Sequence, residues 1–168
     1  MSKSSELAYL SVVKIKQIIE TKQISPVEVT QTYIDRIIEI DPKINSFCAK
    51  NYEQALRDAK RQEQQLMAGQ AQGLLFGLPI GIKDLEDTQD LNTTYGSMTY
   101  QHYVPKVDNE LVQRVRNAGA IILGKTNVPD MGAGANTRNP VWGATGNPFN
   151  PSLNAGGSSG GSAAALAA

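Results

Sequence analysis

Apolar side chains recur at helical spacing through the first 68 residues, and no glycine interrupts them. Glycine is avoided inside helices because it gives up more backbone entropy than any other residue, so this pattern predicts a mainly helical segment. Ser25-Pro26-Val27-Glu28 is typical of a helix start, with a serine N-cap and a glutamate that closes a capping box. We expect that helix to end at Asp41-Pro42. Similar patterns predict helices over Glu6 to Glu20 and Asn51 to Ala68.

The pattern changes after the first glycines. A short apolar run over Leu78 to Ile82 predicts a buried strand, Asn109 to Asn117 predicts a helix, and Ala120 to Leu123 predicts another strand. Strand, helix and strand in this order are typical of the α/β class. We therefore expect residues 1–168 to belong to a single domain, with residues 1–72 mainly helical and residues 73–168 forming the start of an α/β core.

Composition narrows the possible functions. Sixteen Lys and Arg balance sixteen Asp and Glu, and this neutrality disfavours nucleic acids and anionic membranes as partners. One cysteine excludes an internal disulfide, and one histidine excludes a multi-histidine metal centre, so neither a metal nor a cofactor is predicted. No apolar stretch approaches the ~18 residues of a membrane span, and the first residues lack a signal-peptide core. We expect a cytoplasmic protein.

One apparent nucleotide-binding motif does not fit its mechanism. Gly119 to Thr126 matches the phosphate-loop expression, but its variable positions are the apolar residues of the predicted strand. A phosphate loop needs those positions as flexible backbone that points its N–H groups at phosphate. We expect Lys125 to hold neighbouring backbone carbonyls instead.

Lys83 follows the first predicted strand. Strand alternation places Pro79, Gly81 and Lys83 on one face, and Gly81 leaves space beside the lysine stem that an approaching backbone could occupy. A lysine at the end of a buried strand loses hydration, which favours the neutral amine that can act as a base. The alternatives are a pair with Asp84 and exposure of the ammonium to water.

A glycine- and serine-rich segment, Gly156 to Ser162, precedes Ala163 to Ala168. The segment could be a flexible linker. However, it leads directly into a predicted helix with Ser162 as N-cap, and the preceding Asn139 to Pro151 is too aromatic and turn-rich for a spacer. Such a segment suits close main-chain approach to a substrate.

Together these segments resemble the amidase signature family. The resemblance rests on Gly77 to Asp84, Thr93 to Ser97, Ala118 to Asn127 and Gly143 to Ala168. It implies a mixed sheet between helical layers and hydrolysis or transfer of a small-molecule amide by a Ser–cis-Ser–Lys triad, without a cofactor.

The resemblance also implies roles for individual residues. Lys83 matches the lysine base, and Ser158 matches the bridging serine that follows a cis peptide bond. Met131 and Gly132 match a loop that lines the substrate, although Met131 could equally be a packing residue. The nucleophilic serine of the family lies about two dozen residues after the bridging serine, in the loop that also forms the oxyanion hole. We therefore expect an N-terminal portion of a longer amidase that is inactive alone.

Some positions depart from the family pattern. Leu85 stands where asparagine is common, and Asp90 stands where glycine is common. Val128-Pro129 differs from the Met-Asp of the tRNA-dependent amidotransferase A subunits, which favours a free-standing amidase. The alternatives are the A subunit of a glutamyl- or aspartyl-tRNA amidotransferase and an inactive amidase remnant.

Overall fold

A computed structural model describes residues 7–168 of the protein, which fold with α/β architecture as the sequence predicts. Two short 3-10 turns lie at Met98–Tyr100 and Asp130–Gly132. The helices are α1 Val12–Glu20, α2 Pro26–Ile44, α3 Tyr52–Met67, α4 Glu110–Asn117 and α5 Gly160–Ala167. The strands are β1 Phe47–Lys50, β2 Pro79–Lys83, β3 Ile121–Thr126, β4 Arg138–Asn139, β5 Gly143–Ala144, β6 Gly146–Asn147 and β7 Asn150–Asn154.

The predicted start of α2 is confirmed by its capping residues. The Glu28 backbone N–H donates to Ser25 Oγ at 3.1 Å, and the Ser25 N–H donates to Glu28 Oε2 at 2.9 Å, which closes the capping box of α2. The helix predicted over Glu6 to Glu20 is interrupted: Leu7 and Ala8 are helical, and α1 begins after a break at Ser11, which caps it by accepting from the Lys14 N–H at 3.2 Å. Glu6, the predicted start, lies outside the described residues.

The predicted end of α2 at Asp41-Pro42 is wrong, because the helix continues through Pro42 to Ile44. Proline in the last turn removes only one helical hydrogen bond. The buried Asp41 carboxylate then accepts from the Ser46 N–H at 2.7 Å and the Phe47 N–H at 2.9 Å. These bonds hold the chain as it leaves α2 and enters β1, a strand too short to be recognised from its pattern.

Three of the strands form a mixed sheet in the order β1-β3-β2. β1 runs antiparallel to β3, with Phe47 opposite Thr126. β2 runs parallel to β3, since Leu78 O accepts from the Ile121 N–H at one end and Thr126 O accepts from the Asp84 N–H at the other. The end of β2 carries Lys83.

The chain divides into two compact units. The first contains the described part of Met1–Ile37 together with Asn51–Ile80 and Gln113–Leu123, and its core is an apolar cluster that includes Ile19, Val29 and Phe76. The second contains Ile38–Lys50, Gly81–Val112 and Gly124–Ala168. Within residues 7–168, no helix combines the length and the apolar character needed to cross a membrane.

The last described helix begins earlier than predicted. α5 starts at Gly160, with Ser159 in the N-cap position, rather than after Ser162. The Gly160 N–H donates to Thr137 Oγ1 at 2.9 Å and the Gly161 N–H donates to Asn127 O at 3.2 Å. These contacts provide acceptors for the first N–H groups of the helix, so its start is determined by residues distant in sequence.

Candidate active site

Lys83, the last residue of β2, contacts two adjacent serines. Its Nζ lies 2.9 Å from Ser158 Oγ and 2.9 Å from Ser159 Oγ, although the serines follow it by 75 and 76 residues. The structure therefore brings together the two predicted catalytic positions, Lys83 and Ser158. Ser159 is a further contact that the sequence reasoning missed, although it stands beside Ser158 in the same motif.

The serines lie in a loop that leads from β7 into α5. The peptide bond between Gly157 and Ser158 is cis, which agrees with what the family resemblance implies. Ser158 is partly buried and Ser159 is exposed. An amine and two hydroxyls at these distances form a chain of groups that can pass a proton, because each hydroxyl can both donate and accept a hydrogen bond.

The space beside the lysine stem is filled by side chains rather than by a backbone. A Cβ atom on Gly81 would lie 2.8 Å from Thr126 Cγ2 of β3 and 3.1 Å from the Phe47 ring of β1. A side chain larger than hydrogen would therefore displace one of these neighbours. Glycine at this position lets β2 pack closely in the sheet.

Asp84 belongs to a different network from Lys83. Its carboxylate accepts from Thr94 Oγ1 at 2.6 Å and from the Thr94 N–H at 3.2 Å, and no part of its side chain is exposed. Burial raises the pKa of Asp84, and the hydrogen bonds from Thr94 and the charge of Lys125 oppose this change. The cation beside Asp84 is Lys125, so Lys83 remains directed at the serines.

Lys125 is a fully buried ammonium on β3. It donates to Glu86 O, to Thr88 Oγ1 at 3.0 Å and to Thr93 Oγ1 at 3.0 Å. Burial lowers its pKa to about 8, an effect that the charge of Asp84 opposes. The prediction that Lys125 holds a backbone carbonyl is confirmed, and the apparent phosphate loop is largely strand β3, buried at every position.

The turn with the predicted substrate-lining residues lies beside the segment that follows Lys83. The Met131 N–H donates to Tyr95 O at 2.7 Å, and a Cβ atom on Gly132 would lie 2.5 Å from Leu85 Cδ1. Both Met131 and Gly132 have left-handed backbones, with φ of 50° and 70°. Met131 is 55% exposed in this chain.

Asp90 has a left-handed backbone conformation in the loop that follows Lys83. Its φ is 61°, which lies in the left-handed region that glycine enters most easily and that aspartate tolerates better than most residues. Its N–H donates to Pro105 O at 3.2 Å. Aspartate at this position therefore occupies a backbone conformation that glycine also enters easily.

A tyrosine cluster adjoins the same turn and was missed by the sequence reasoning. The Tyr95 and Tyr103 hydroxyls both donate to the Asp87 carboxylate. The Tyr95 ring packs edge-on against Tyr100, with ring centres 5.0 Å apart. Burial and the negative charge of Asp87 raise the pKa of Tyr95. The signal available in the sequence was three tyrosines within nine positions.

A metal site would need several ligating side chains close together. Within residues 7–168, no three His, Cys, Asp or Glu side chains are grouped as metal ligands. The single cysteine, Cys48, donates its thiol hydrogen to Lys125 O at 3.3 Å. Burial raises the pKa of the Cys48 thiol, and the charge of Asp84 adds to this effect, so the thiolate needed for nucleophilic attack is disfavoured.

Comparison with known proteins places this geometry in a family. The model of the family described as amidase matches residues 28–168. Over 158 residues the chain is 42% identical to the A subunit of the glutamyl-tRNA(Gln) amidotransferase of Acaryochloris marina, and the match covers 94% of this chain and 33% of that protein.

Solved structures agree with this match. A bacterial aryl acylamidase of the amidase signature family superposes with a TM-score of 0.86 at 34% identity, covering 91% of this chain and 32% of that one. The native peptide amidase of Stenotrophomonas maltophilia superposes with a TM-score of 0.88 at 31% identity, covering 95% and 34%. The chain spans about a third of the length of these relatives. With the matching motifs, fold and Lys83–Ser158 contact, the chain belongs to the amidase signature family.

Proposed function

We propose that the complete protein hydrolyses small-molecule carboxylic amides by covalent catalysis, with Lys83 and Ser158 as a proton relay. The observation that carries this proposal is the 2.9 Å separation of Lys83 Nζ from Ser158 Oγ across 75 residues of sequence. A general base must lie within hydrogen-bonding distance of the proton that it takes, and this pair meets that requirement.

The relay works in two directions. Neutral Lys83 takes a proton from Ser158, while Ser158 takes one from a nucleophilic serine, whose oxygen attacks the amide carbonyl. When the C–N bond breaks, the relay returns a proton to the leaving amine, and an ester links the acyl group to the nucleophilic serine. Water then attacks that ester, the acid is released and the serine is regenerated.

The nucleophilic serine is proposed to lie outside these 168 residues. The resemblance puts it about two dozen residues after Ser158, in the loop that forms the oxyanion hole. Relatives about three times as long as this chain support this view. The substrate side of the site is proposed to include the exposed Met131 and the backbone of Gly132, which lies beside Leu85, two residues after the lysine.

The test is replacement of Lys83 in the complete protein. Lys83→Ala is expected to lower amide turnover by the ~10²–10⁴-fold that a positioned proton-transfer group contributes, with an unchanged circular dichroism spectrum. Lys106→Ala, an exposed lysine in the second unit, is the matched control and should keep full turnover. Turnover by Lys83→Ala within a few-fold of the wild type would remove this lysine from the mechanism. No turnover by the complete wild type would favour an inactive remnant.

The A subunit of a tRNA-dependent amidotransferase is the second candidate. The observation that favours it is the 42% identity to a protein of that name, against 34% for the aryl acylamidase. Val128-Pro129, at a position where those subunits carry Met-Asp, favours the free-standing enzyme. Either function would be cytoplasmic. Purification of the complete protein from its source at low salt separates them, because an amidotransferase component should elute with partner chains and a free-standing amidase should not.

A further inference from the structure

The loop that carries Ser158 and Ser159 has little packing of its own. Gly157 and Ser159 are exposed, and the residues from Asn150 to Asn154 that lead into the loop are exposed as well. Glycine-rich backbone also has more conformational freedom than other sequences. The 2.9 Å contacts of both hydroxyls with Lys83 therefore need a restraint from another part of the fold.

Thr137 contacts the backbone on both sides of this loop. Its N–H donates to Gly156 O at 2.8 Å, and its Oγ1 accepts from the Gly160 N–H at 2.9 Å. These two bonds enclose the three residues 157–159, which include both serines. Thr137 is only 1% exposed, so the bonds are shielded from water.

The segment before Thr137 packs closely against the same loop. A Cβ atom on Gly157 would lie 2.7 Å from Gly134 O and 2.9 Å from the Ala135 carbonyl carbon. Thr137 is itself anchored, because its carbonyl accepts from the Thr145 N–H at 2.9 Å. The loop thus rests on backbone that the rest of the second unit holds in place.

We propose that Thr137 is a positioning residue of the amidase site, which holds Ser158 and Ser159 at Lys83 through its hydrogen bonds to Gly156 and Gly160. The proposal rests on the proposed amidase function. A mutation can remove the side-chain hydrogen bond to Gly160 and leave the backbone hydrogen bond to Gly156 in place. Valine has nearly the shape of threonine and keeps the backbone N–H, but it lacks the oxygen that accepts from Gly160.

The test compares Thr137→Val and Thr137→Ser in the complete protein. We expect Thr137→Val to lower kcat at least ~10-fold, because a small misplacement of catalytic groups is costly, while KM stays within ~3-fold. Thr137→Ser keeps the hydroxyl oxygen and should have a kcat within ~3-fold of the wild type. Thr30→Val replaces another buried threonine, in α2, and should retain full kcat.

A purely structural role would not give this pattern. A smaller loss of kcat in Thr137→Val, a rise in KM alone, or an equal loss in Thr137→Ser would each overturn the proposal. Amide hydrogen exchange provides a readout that does not need activity. The Gly160 N–H should exchange at least ~100-fold more slowly than in an unstructured peptide, and Thr137→Ser should keep that protection.

The two proposals can fail separately. If the complete wild type hydrolyses no amide, the proposed function fails and the exchange rate of the Gly160 N–H decides whether Thr137 restrains the loop. If Thr137→Val does not fold, the wild-type exchange rate and the kcat of Thr137→Ser decide whether Thr137 positions the loop. Exchange of the wild-type Gly160 N–H at the rate of an unstructured peptide would overturn the positioning role.

Discussion

The Asp84 carboxylate and the Lys125 ammonium lie 3.9 Å apart, and neither side chain is exposed to solvent. Lys125 also donates to Glu86 O and to Thr88, while Asp84 accepts from Thr94. The pair therefore joins β3 to the segment that begins one residue after Lys83. Two buried charges are tolerated here because each has additional hydrogen-bonding partners.

Removing one member of this pair should be strongly destabilising. We expect Lys125→Met to lower the free energy of unfolding by about 3–5 kcal/mol, because Asp84 would remain buried without its cation. Urea denaturation followed by circular dichroism measures this change. Lys106→Met, at an exposed loop position, should change the free energy by less than ~0.5 kcal/mol. A loss below ~1 kcal/mol for Lys125→Met would mean that the pair does not stabilise the fold.

The Cys48 thiol should react slowly in the folded protein. Burial, and then the charge of Asp84, raise its pKa, so the native protein holds less thiolate than an unfolded chain. Alkylation by iodoacetamide at pH 8, followed by mass spectrometry of the Cys48 peptide, should be at least ~10-fold slower than in urea. The rate in urea should level off above pH ~9, and the native rate should still rise there.

The raised pKa of Cys48 also makes the stability of the fold depend on pH. The folded state keeps the thiol proton at pH values where the unfolded chain loses it, so this group's contribution to the free energy of unfolding decreases as pH rises above ~8.5. Cys48→Ala should remove that component of the pH dependence. Equal alkylation rates in native and unfolded protein would contradict the assignment of a buried, protonated thiol.

Thr30 offers a stabilising substitution. Its side chain is fully buried in α2, and its hydroxyl has no hydrogen-bond partner among the described residues. Thr30→Val keeps the shape and removes the unpaired polar atom, so the free energy of unfolding should rise by about 1 kcal/mol. Thr32→Val, two residues further along α2, is the control because its hydroxyl donates to Glu28 O at 2.9 Å. A loss of stability in Thr30→Val would show that this hydroxyl is paired in solution.

The 168 residues alone should lack covalent catalysis. Lys83 and Ser158 form only the relay of the proposed mechanism, and the nucleophile and oxyanion loop are proposed to lie elsewhere. We expect neither labelling by a serine-directed fluorophosphonate, measured by intact mass, nor hydrolysis of a simple aryl amide above the buffer rate. Labelling that disappears in Ser158→Ala would mean that a serine of this chain is the nucleophile.

Features that depend on neighbouring residues were determined by the sequence alone. The capping box of Ser25 and Glu28 forms as predicted, because both of its hydrogen bonds join residues three positions apart. The apolar pattern likewise identifies β3 and excludes a phosphate loop at Gly119 to Thr126, since a run of buried side chains cannot also be flexible backbone. The motifs around Lys83 and Ser158 identify the family, because residue identity needs no coordinates.

Features that depend on distant residues were decided by the tertiary structure. Asp41 binds N–H groups of the segment that follows α2, and the start of α5 at Gly160 has an acceptor supplied by Thr137. The contact of Ser159 with Lys83 spans 76 residues. Hydrophobic periodicity carries information about which face of an element is buried, but not about which polar group meets which across the fold. Those pairings are set by packing, and they determine whether the residues of a recognised motif form a site.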